Sequence, residues 1–105
     1  MTPEGKVKAD LKKYLSSLGE ACWYYCPVPT GYGKRGVPDF IICYKGYFLA
    51  PETKRAKGGT SQAWQDDQQE EICTAGGVSG RVTTVEEVMV WVRSINAMGS
   101  TNAIQ

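Results

Sequence analysis

The stretch that decides the fold is RGVPDFIICYKGYFLAPETK, residues 35–54. Two apolar runs flank a Lys-Gly dipeptide at 45–46, a pattern typical of a β-hairpin with a two-residue turn. If this dipeptide forms the turn, Asp39 lies opposite Glu52, and opposed residues have Cβ atoms about 4.5 to 5.5 Å apart on one face of the sheet. Lys54 lies two residues beyond Glu52 and therefore on that same face. The hairpin thus predicts a cluster of two carboxylates and one ammonium group.

The cluster depends on the register of the hairpin, because a slip of one residue moves a carboxylate to the other face. Both faces of the hairpin are apolar, which is typical of strands in the middle of a sheet with helices on both sides. Pro51 cannot donate a ladder hydrogen bond. We therefore expect strand pairing to be interrupted just before Glu52.

A divalent cation would explain the charges at the end of this hairpin. Two facing carboxylates withdrawn from water repel each other, and the single charge of Lys54 cannot neutralise both. Because the chain has no histidine, an oxygen ligand set favours Mg²⁺ or Mn²⁺ over zinc. Such a cation polarises a phosphoryl oxygen, and a nearby lysine stabilises charge that develops on phosphorus. An ion-pair network of Asp39, Lys54 and Glu52 explains the spacing equally well.

Length and composition indicate one domain without a membrane span. The chain has 105 residues, a formal net charge of +1 and no histidine, which excludes every mechanism that needs a catalytic or metal-binding histidine. Its N-terminus lacks the apolar run of a signal peptide and no apolar run could cross a bilayer, so we expect a cytoplasmic protein. The cysteines form no C-x-x-C pair, and apolar neighbours predict buried thiols at Cys22, Cys26 and Cys43.

Charge is distributed unevenly along the chain. Basic residues gather at 34–35 and 54–57, on both sides of the hairpin, whereas the acidic run DDQQEE occupies 66–71. A cleft with basic borders on a nearly neutral protein suits an anionic substrate.

The remaining segments predict the element order αβββαβα. The predicted elements are a helix from Thr2 to Gly19, a strand within 21–28, the hairpin, a helix from Ser61 to Ala75, a strand around 80–83, and a last helix whose capping box is Thr84 with Glu87. The buried stripe of the last helix is predicted as Val85, Val88, Trp91 or Val92, and Ile95. We expect a single domain over 1–98 and a flexible tail over 99–105.

The first helix carries an acidic residue on its apolar stripe. Glu4 precedes Val7 and Leu11 by three and seven residues, so it faces inward with them. A favourable interaction with the helix dipole explains this position as well as a functional role does.

Together these segments resemble a known nuclease family. GVPDF, the hairpin and ETK resemble the P-D…(D/E)-x-K nuclease core. With TPEGKVKADLKKYL, GKRGVPDFII, GYFLAPETKRAKGGTS, a glutamine in the next helix and AGG, the chain from about residue 2 to residue 95 resembles the virus-type replication-repair nuclease (VRR-NUC) domain. The resemblance implies an α/β, restriction-endonuclease-like core with a central mixed four-stranded sheet flanked by helices.

The resemblance also implies a role for each residue of the hairpin cluster. Asp39 and Glu52 match the metal-binding carboxylates, the main-chain carbonyl of Thr53 is a further ligand, and Lys54 matches the catalytic lysine. The implied cofactor is Mg²⁺ or Mn²⁺, with no organic cofactor. The chain departs from the family at Pro51, where family members usually have an aliphatic residue before the glutamate.

Two residues outside the hairpin match the family as well. Gln65 matches the helix glutamine that orients the site, with Gln62 and Gln68 as alternatives if the register along that polar helix differs. Glu4 matches the first-helix glutamate, which favours a functional role for it.

The implied activity is that of a metal-dependent, structure-selective DNA endonuclease. Small stand-alone members of the family, mostly viral or phage-encoded, are similar to Holliday-junction resolvases and act as homodimers. For this chain the expected place is a cytoplasm, that of the host cell if the chain is phage-encoded. The alternative is a catalytically inactive nuclease fold that binds branched DNA or serves in an assembly. The residues predicted to contact DNA are Tyr32, Lys34, Arg35, Arg55 and Lys57.

Overall fold

The computed structural model describes residues 2–28, 36–54 and 63–99. Its elements are α1 (Pro3–Ser17), a single 3₁₀ turn (Gly19–Ala21), β1 (Cys22–Tyr25), β2 (Ile41–Tyr44), β3 (Tyr47–Thr53), α2 (Ala63–Thr74), β4 (Val78–Val82) and α3 (Val85–Gly99). The described strands form a mixed sheet in the order β1-β2-β3-β4, in which only β3 and β4 are parallel. This architecture confirms the predicted α/β fold and the αβββαβα order.

Helix α1 begins as its sequence predicts. The hydroxyl oxygen of Thr2 accepts a hydrogen bond from the Gly5 N–H at 3.0 Å, which satisfies one of the free donors of the first turn. The buried stripe of α1 consists of Val7, Leu11 and Leu15. This stripe packs against α3 and the sheet, so α1 covers the same side of the sheet as α3.

The hairpin turn confirms the predicted register. Lys45 and Gly46 have φ angles of 50° and 89°, the left-handed conformations that a tight two-residue hairpin turn requires. Ile42 pairs with Leu49, and the ladder between β2 and β3 ends at that pair. Strand β3 continues to Thr53 with β4 as its neighbour.

Pro51 lies inside β3 without disrupting the strand. The Lys54 N–H bonds the Val82 carbonyl of β4 at 2.9 Å, whereas the Thr53 N–H points to the other side, where it meets Asp39. Because N–H directions alternate along a strand, the position of Pro51 would direct an N–H to the side of β2. The ladder with β2 has already ended there, so the missing donor breaks no pairing with β4.

The two faces of the sheet differ in burial. Phe40, Ile42 and Leu49 are buried in the core. On the other face Cys43 is exposed and Phe48 is 43% exposed, and α2 packs at the β4 side. The predicted position of the hairpin in the middle of a helix-flanked sheet is confirmed, whereas the prediction of a buried Cys43 thiol is wrong. The apolar run predicted a covered strand but carries no information about how far a helix extends over it.

Helix α3 packs through Val85, Val88, Val92 and Ile95. Trp91 is only partly buried, so Val92 is the stripe residue at the position that the sequence left open. The predicted capping box is displaced by one residue. The Glu87 carboxylate accepts hydrogen bonds from the N–H and hydroxyl of Thr83, at 3.0 and 2.8 Å, rather than from Thr84. The chain bends at 83–84, which brings Thr83 over the first turn.

Gly99 ends α3, and the rest of the predicted tail, 100–105, lies outside the described residues. Along the three described stretches, no helix has the length and apolar character needed to cross a bilayer.

We predict that Gly77→Ala destabilises the fold. An added Cβ would lie 2.8 Å from Cγ2 of Ile72 and 3.0 Å from Cδ1 of Phe48, so we expect a loss of about 1–3 kcal/mol in the free energy of unfolding from overpacking. Urea denaturation measures it. Gly80→Ala is the matched control, because its Cβ would meet its nearest neighbour, Trp91, at 3.8 Å. An equal effect of both substitutions would contradict this account of Gly77.

Candidate metal site

Asp39 is fixed by the end of strand β3. One of its carboxylate oxygens, Oδ2, accepts hydrogen bonds from both the N–H and the hydroxyl of Thr53, at 2.9 and 2.7 Å. Asp39 lies in a bend before β2, so it is not part of the predicted ladder opposite Glu52. Its carboxylate instead takes the place of a strand partner for the Thr53 N–H. Sequence reasoning missed this role of the Thr53 side chain.

Glu52 is a nearly buried carboxyl group, with 3% of its surface exposed. Its Oε1 accepts a hydrogen bond from the Gln65 side-chain amide at 3.1 Å, and its side chain also hydrogen-bonds to Asp39. Burial, and then the charge and hydrogen bond of Asp39, raise the pKa of Glu52 to about 8, against smaller opposing effects of Lys54 and Lys8. The two carboxyl groups meet as predicted, and in the absence of a cation the pair favours holding one proton.

Two lysines supply positive charge to this carboxyl pair. Lys54 is partly buried, and its charge acts on Glu52. The ammonium nitrogen of Lys8, in α1, lies 3.9 Å from Oδ1 of Asp39 and also acts on Glu52. Lys54 was predicted here and Lys8 was not. The available signal was helical spacing, because Lys8 follows Glu4 by one turn of α1 and shares its side of the helix.

The structure separates the three candidate glutamines of the polar helix. The Gln65 side chain contacts Glu52, the Gln68 side chain makes no hydrogen bond with a described residue, and Gln62 lies outside the described part of the chain. Gln65 is therefore the described glutamine that reaches the carboxyl pair. Glu4 is partly buried in the first turn of α1, but its side chain forms no hydrogen bond or ion pair with another described residue. Its part in the site stays a prediction.

The predicted DNA contacts are not among the residues that the structure describes. These residues are Tyr32, Lys34, Arg35, Arg55 and Lys57.

The donor set fits a hard divalent cation with few protein ligands. Across 2–28, 36–54 and 63–99, no group of three or more histidine, cysteine, aspartate or glutamate side chains is placed to hold a metal ion. Asp39 and Glu52 supply two carboxylates, and Mg²⁺ is often bound by one or two carboxylates together with waters and substrate phosphates. The pair therefore suits Mg²⁺ or Mn²⁺ better than a cation that needs a closed protein cage. The main-chain carbonyl of Thr53 stays a predicted further ligand.

The sheet and the carboxyl pair together define the class of fold. A mixed four-stranded sheet flanked by three helices, with P-D before one strand and E-T-K ending the next, is the architecture of the PD-(D/E)xK-like α/β folds.

Comparison with solved structures gives a more specific assignment of the fold. A structure described as "VRR_NUC domain" is 20% identical to this chain with a TM-score of 0.71, and the match covers 89% of this chain and 97% of that one. No protein-family model and no curated protein matches the sequence. The chain therefore has the fold of a VRR-NUC domain.

The raised pKa of Glu52 predicts a pH-dependent stability in the absence of divalent cations. Below about pH 4.5 the carboxyl group is protonated in both the folded and the unfolded chain. Between there and about pH 8 the unfolded chain ionises first, so the free energy of unfolding falls as pH rises, by up to about 1.4 kcal/mol per pH unit. Urea denaturation in EDTA at a series of pH values measures this slope.

Two variants separate the contribution of Glu52 from those of other carboxylates. Glu52→Gln keeps the shape of the side chain but cannot ionise, so we expect it to lose this part of the slope. Glu70→Gln removes an exposed carboxylate of α2 and should keep it. Identical pH profiles for wild type and Glu52→Gln would show that Glu52 is ionised in the folded protein.

Proposed function

We propose that this protein is a metal-dependent, structure-selective DNA endonuclease. The observation that carries the proposal is the nearly buried Glu52, which lies against Asp39 with lysine charge beside it. Maintaining two adjacent carboxyl groups in a buried position costs free energy. Such an arrangement is typical of sites that take up a cation or a proton during a reaction. The VRR-NUC fold supports nuclease activity rather than another reaction of phosphate esters.

Each residue of the site has a distinct task in this mechanism. Asp39 and Glu52 would hold Mg²⁺ or Mn²⁺, and Glu52 would serve as a ligand in its ionised form. A cation held there would supply a Lewis acid for the scissile phosphate and would lower the pKa of a bound water. Lys54 stabilises the negative charge that develops on the phosphate oxygens. Gln65 orients the Glu52 carboxylate and Thr53 orients that of Asp39, in keeping with their hydrogen bonds.

The proposed substrate is a branched DNA such as a four-way junction. The basic segments that flank the hairpin in the sequence are suited to phosphate contacts, which position DNA without reading its sequence. Symmetric cutting of two strands of a junction requires two active sites, which supports a homodimer. The proposed place of action is the cytoplasm of the cell that makes the protein, a host cell if the source is a phage.

We expect the purified protein to cut a four-way junction or a flap in Mg²⁺ or Mn²⁺, and to cut neither in EDTA. Asp39→Asn, Glu52→Gln and Lys54→Met should each lower the cleavage rate by at least ~100-fold, because each removes a ligand or a charge needed in the transition state. Gel assays of labelled four-way junction, flap and linear duplex measure the rates.

Glu70→Gln serves as the control, because it removes an exposed carboxylate of the same helix as Gln65 and should cut like wild type. Binding of branched DNA without metal-dependent cutting of any substrate would favour the inactive, DNA-binding alternative. If Lys54→Met or Asp39→Asn cuts like wild type, the site assignment is wrong even where nuclease activity is real.

The proposed homodimer is supported by an aromatic face on the sheet. Trp23 of β1 is 62% exposed, and Phe48 of β3 lies across Cys43 from it in the ladder. Tyr25 stacks beside Trp23 with ring centroids 6.5 Å apart and is also exposed. We call Trp23, Tyr25 and Phe48 the aromatic face. Exposed apolar patches of this kind mark interaction surfaces. Among the described strands β1 lies at the edge of the sheet, so its outer backbone groups can pair with a second copy.

Light scattering tests the dimer and its surface together. We expect wild type to have the mass of a dimer and Trp23→Lys to have that of a monomer. Val90→Lys is the control, because Val90 is 49% exposed on helix α3. The aromatic face, by contrast, lies on strands β1 and β3. A monomer mass for wild type at all concentrations would refute the dimer. A dimer that only Val90→Lys disrupts would place the interface on α3.

A further inference from the structure

We propose that Lys8 and Lys12 of α1 form a phosphate-binding track that guides one DNA strand into the carboxyl pair. We call these two residues the α1 lysine pair. The proposal rests on the proposed nuclease function and names a substrate contact outside the DNA-contacting residues predicted from the sequence.

Lys8 lies on the open side of the Asp39 carboxylate. Thr53 occupies Oδ2 with two hydrogen bonds, and Lys8 approaches the other oxygen, Oδ1, at 3.9 Å. Oδ1 therefore takes neither of the Thr53 hydrogen bonds and is the oxygen that faces Lys8. Lys8 therefore lies where a substrate phosphate would meet the site.

The contact between Lys8 and Asp39 does not account for the position of Lys8 through stability. The distance of 3.9 Å is too long for a hydrogen bond, and the Lys8 side chain is 42% exposed. Exposed ion pairs of this kind contribute little to stability. If a divalent cation neutralises Asp39, the ammonium group of Lys8 becomes available for another anion. In this proposal that anion is a DNA phosphate.

Lys12 extends the positive charge along the same side of α1. It follows Lys8 by four residues, which corresponds to about 6 Å along the helix axis. Both lysines act electrostatically on Cys26, whose thiol also senses Asp39. Lys8, Lys12 and Asp39 thus all lie within electrostatic range of the same thiol. A DNA strand advances about 3.4 Å per nucleotide along its axis, so the α1 lysine pair can reach neighbouring phosphates of one strand.

The opposite side of α1 provides the comparison. Lys6 forms a hydrogen-bonded ion pair with Asp10 at 3.0 Å, and its charge is already matched. Lys13 is exposed. It follows Lys6 by seven residues, or about two helical turns, and therefore lies on the same side of the helix as Lys6. Removing Lys13 takes away the same charge from the same helix without touching the proposed track.

The test measures DNA binding in a background that cannot cut. A labelled four-way junction is titrated with Glu52→Gln protein at several salt concentrations, by fluorescence anisotropy. Each phosphate contact contributes about 0.9 to the slope of log K against log salt. Adding Lys8→Gln and Lys12→Gln should therefore lower the slope by about two and weaken binding by ~10-fold or more at moderate salt. Adding Lys13→Gln should leave the slope unchanged.

Conservative variants separate charge from folding. Lys8→Arg with Lys12→Arg should keep the slope, because the positive charges remain. Equal slopes for the Lys8→Gln/Lys12→Gln and Lys13→Gln proteins would overturn the track.

Failure of the track and failure of the nuclease proposal give different results. If the wild-type protein cuts DNA but the salt slope does not depend on the α1 lysine pair, the nuclease proposal holds and the track is wrong. If the wild-type protein cuts no substrate but the salt slope depends on the α1 lysine pair, the nuclease proposal is wrong and the track holds as a DNA-binding surface. No binding of the junction by the Glu52→Gln parent would overturn the track.

Discussion

The site depends on one interaction, the pair of hydrogen bonds from Thr53 to a single oxygen of Asp39. Strand β3 extends beyond the end of its ladder with β2, and this carboxylate satisfies the N–H that the missing partner would have taken. The same contact holds Asp39 against the last residues of β3, so Glu52 is brought beside it. The other oxygen of Asp39 faces the ammonium group of Lys8. A backbone requirement of the sheet thereby sets the geometry of the carboxyl pair.

Electrostatics then decides what the pair can do. Glu52 is removed from water and lies beside a second acid, so its charged form is disfavoured and its pKa is raised to about 8. Lys54 and Lys8 oppose this effect without overcoming it. A proton or a divalent cation can relieve the repulsion, and only the cation leaves both carboxylates ionised as ligands. We propose that Glu52 releases its proton when a cation binds, and that Lys8 contacts the substrate phosphate.

The sequence predicted the parts of this site that depend on local pattern. The Lys-Gly turn was sufficient for the register of the hairpin. The interruption predicted from Pro51 holds for the ladder with β2, which ends at Leu49, but not for the ladder with β4, which continues to Thr53. Lys8 was missed because its contact with Asp39 depends on how α1 crosses the sheet, which periodicity does not specify. The exposed Cys43 was missed for a related reason, since two apolar faces do not show where α2 ends over the sheet. The family resemblance, rather than spacing, identified Gln65.

The measurement that tests the central claim most directly is anomalous diffraction from crystals of the protein soaked in Mn²⁺. We expect an anomalous peak within bonding distance of a carboxylate oxygen of Asp39 and of one of Glu52, and its loss in Glu52→Gln crystals. A data set in which Mn²⁺ binds elsewhere, or binds equally well in the Glu52→Gln protein, would contradict the assignment of this carboxyl pair as a metal site.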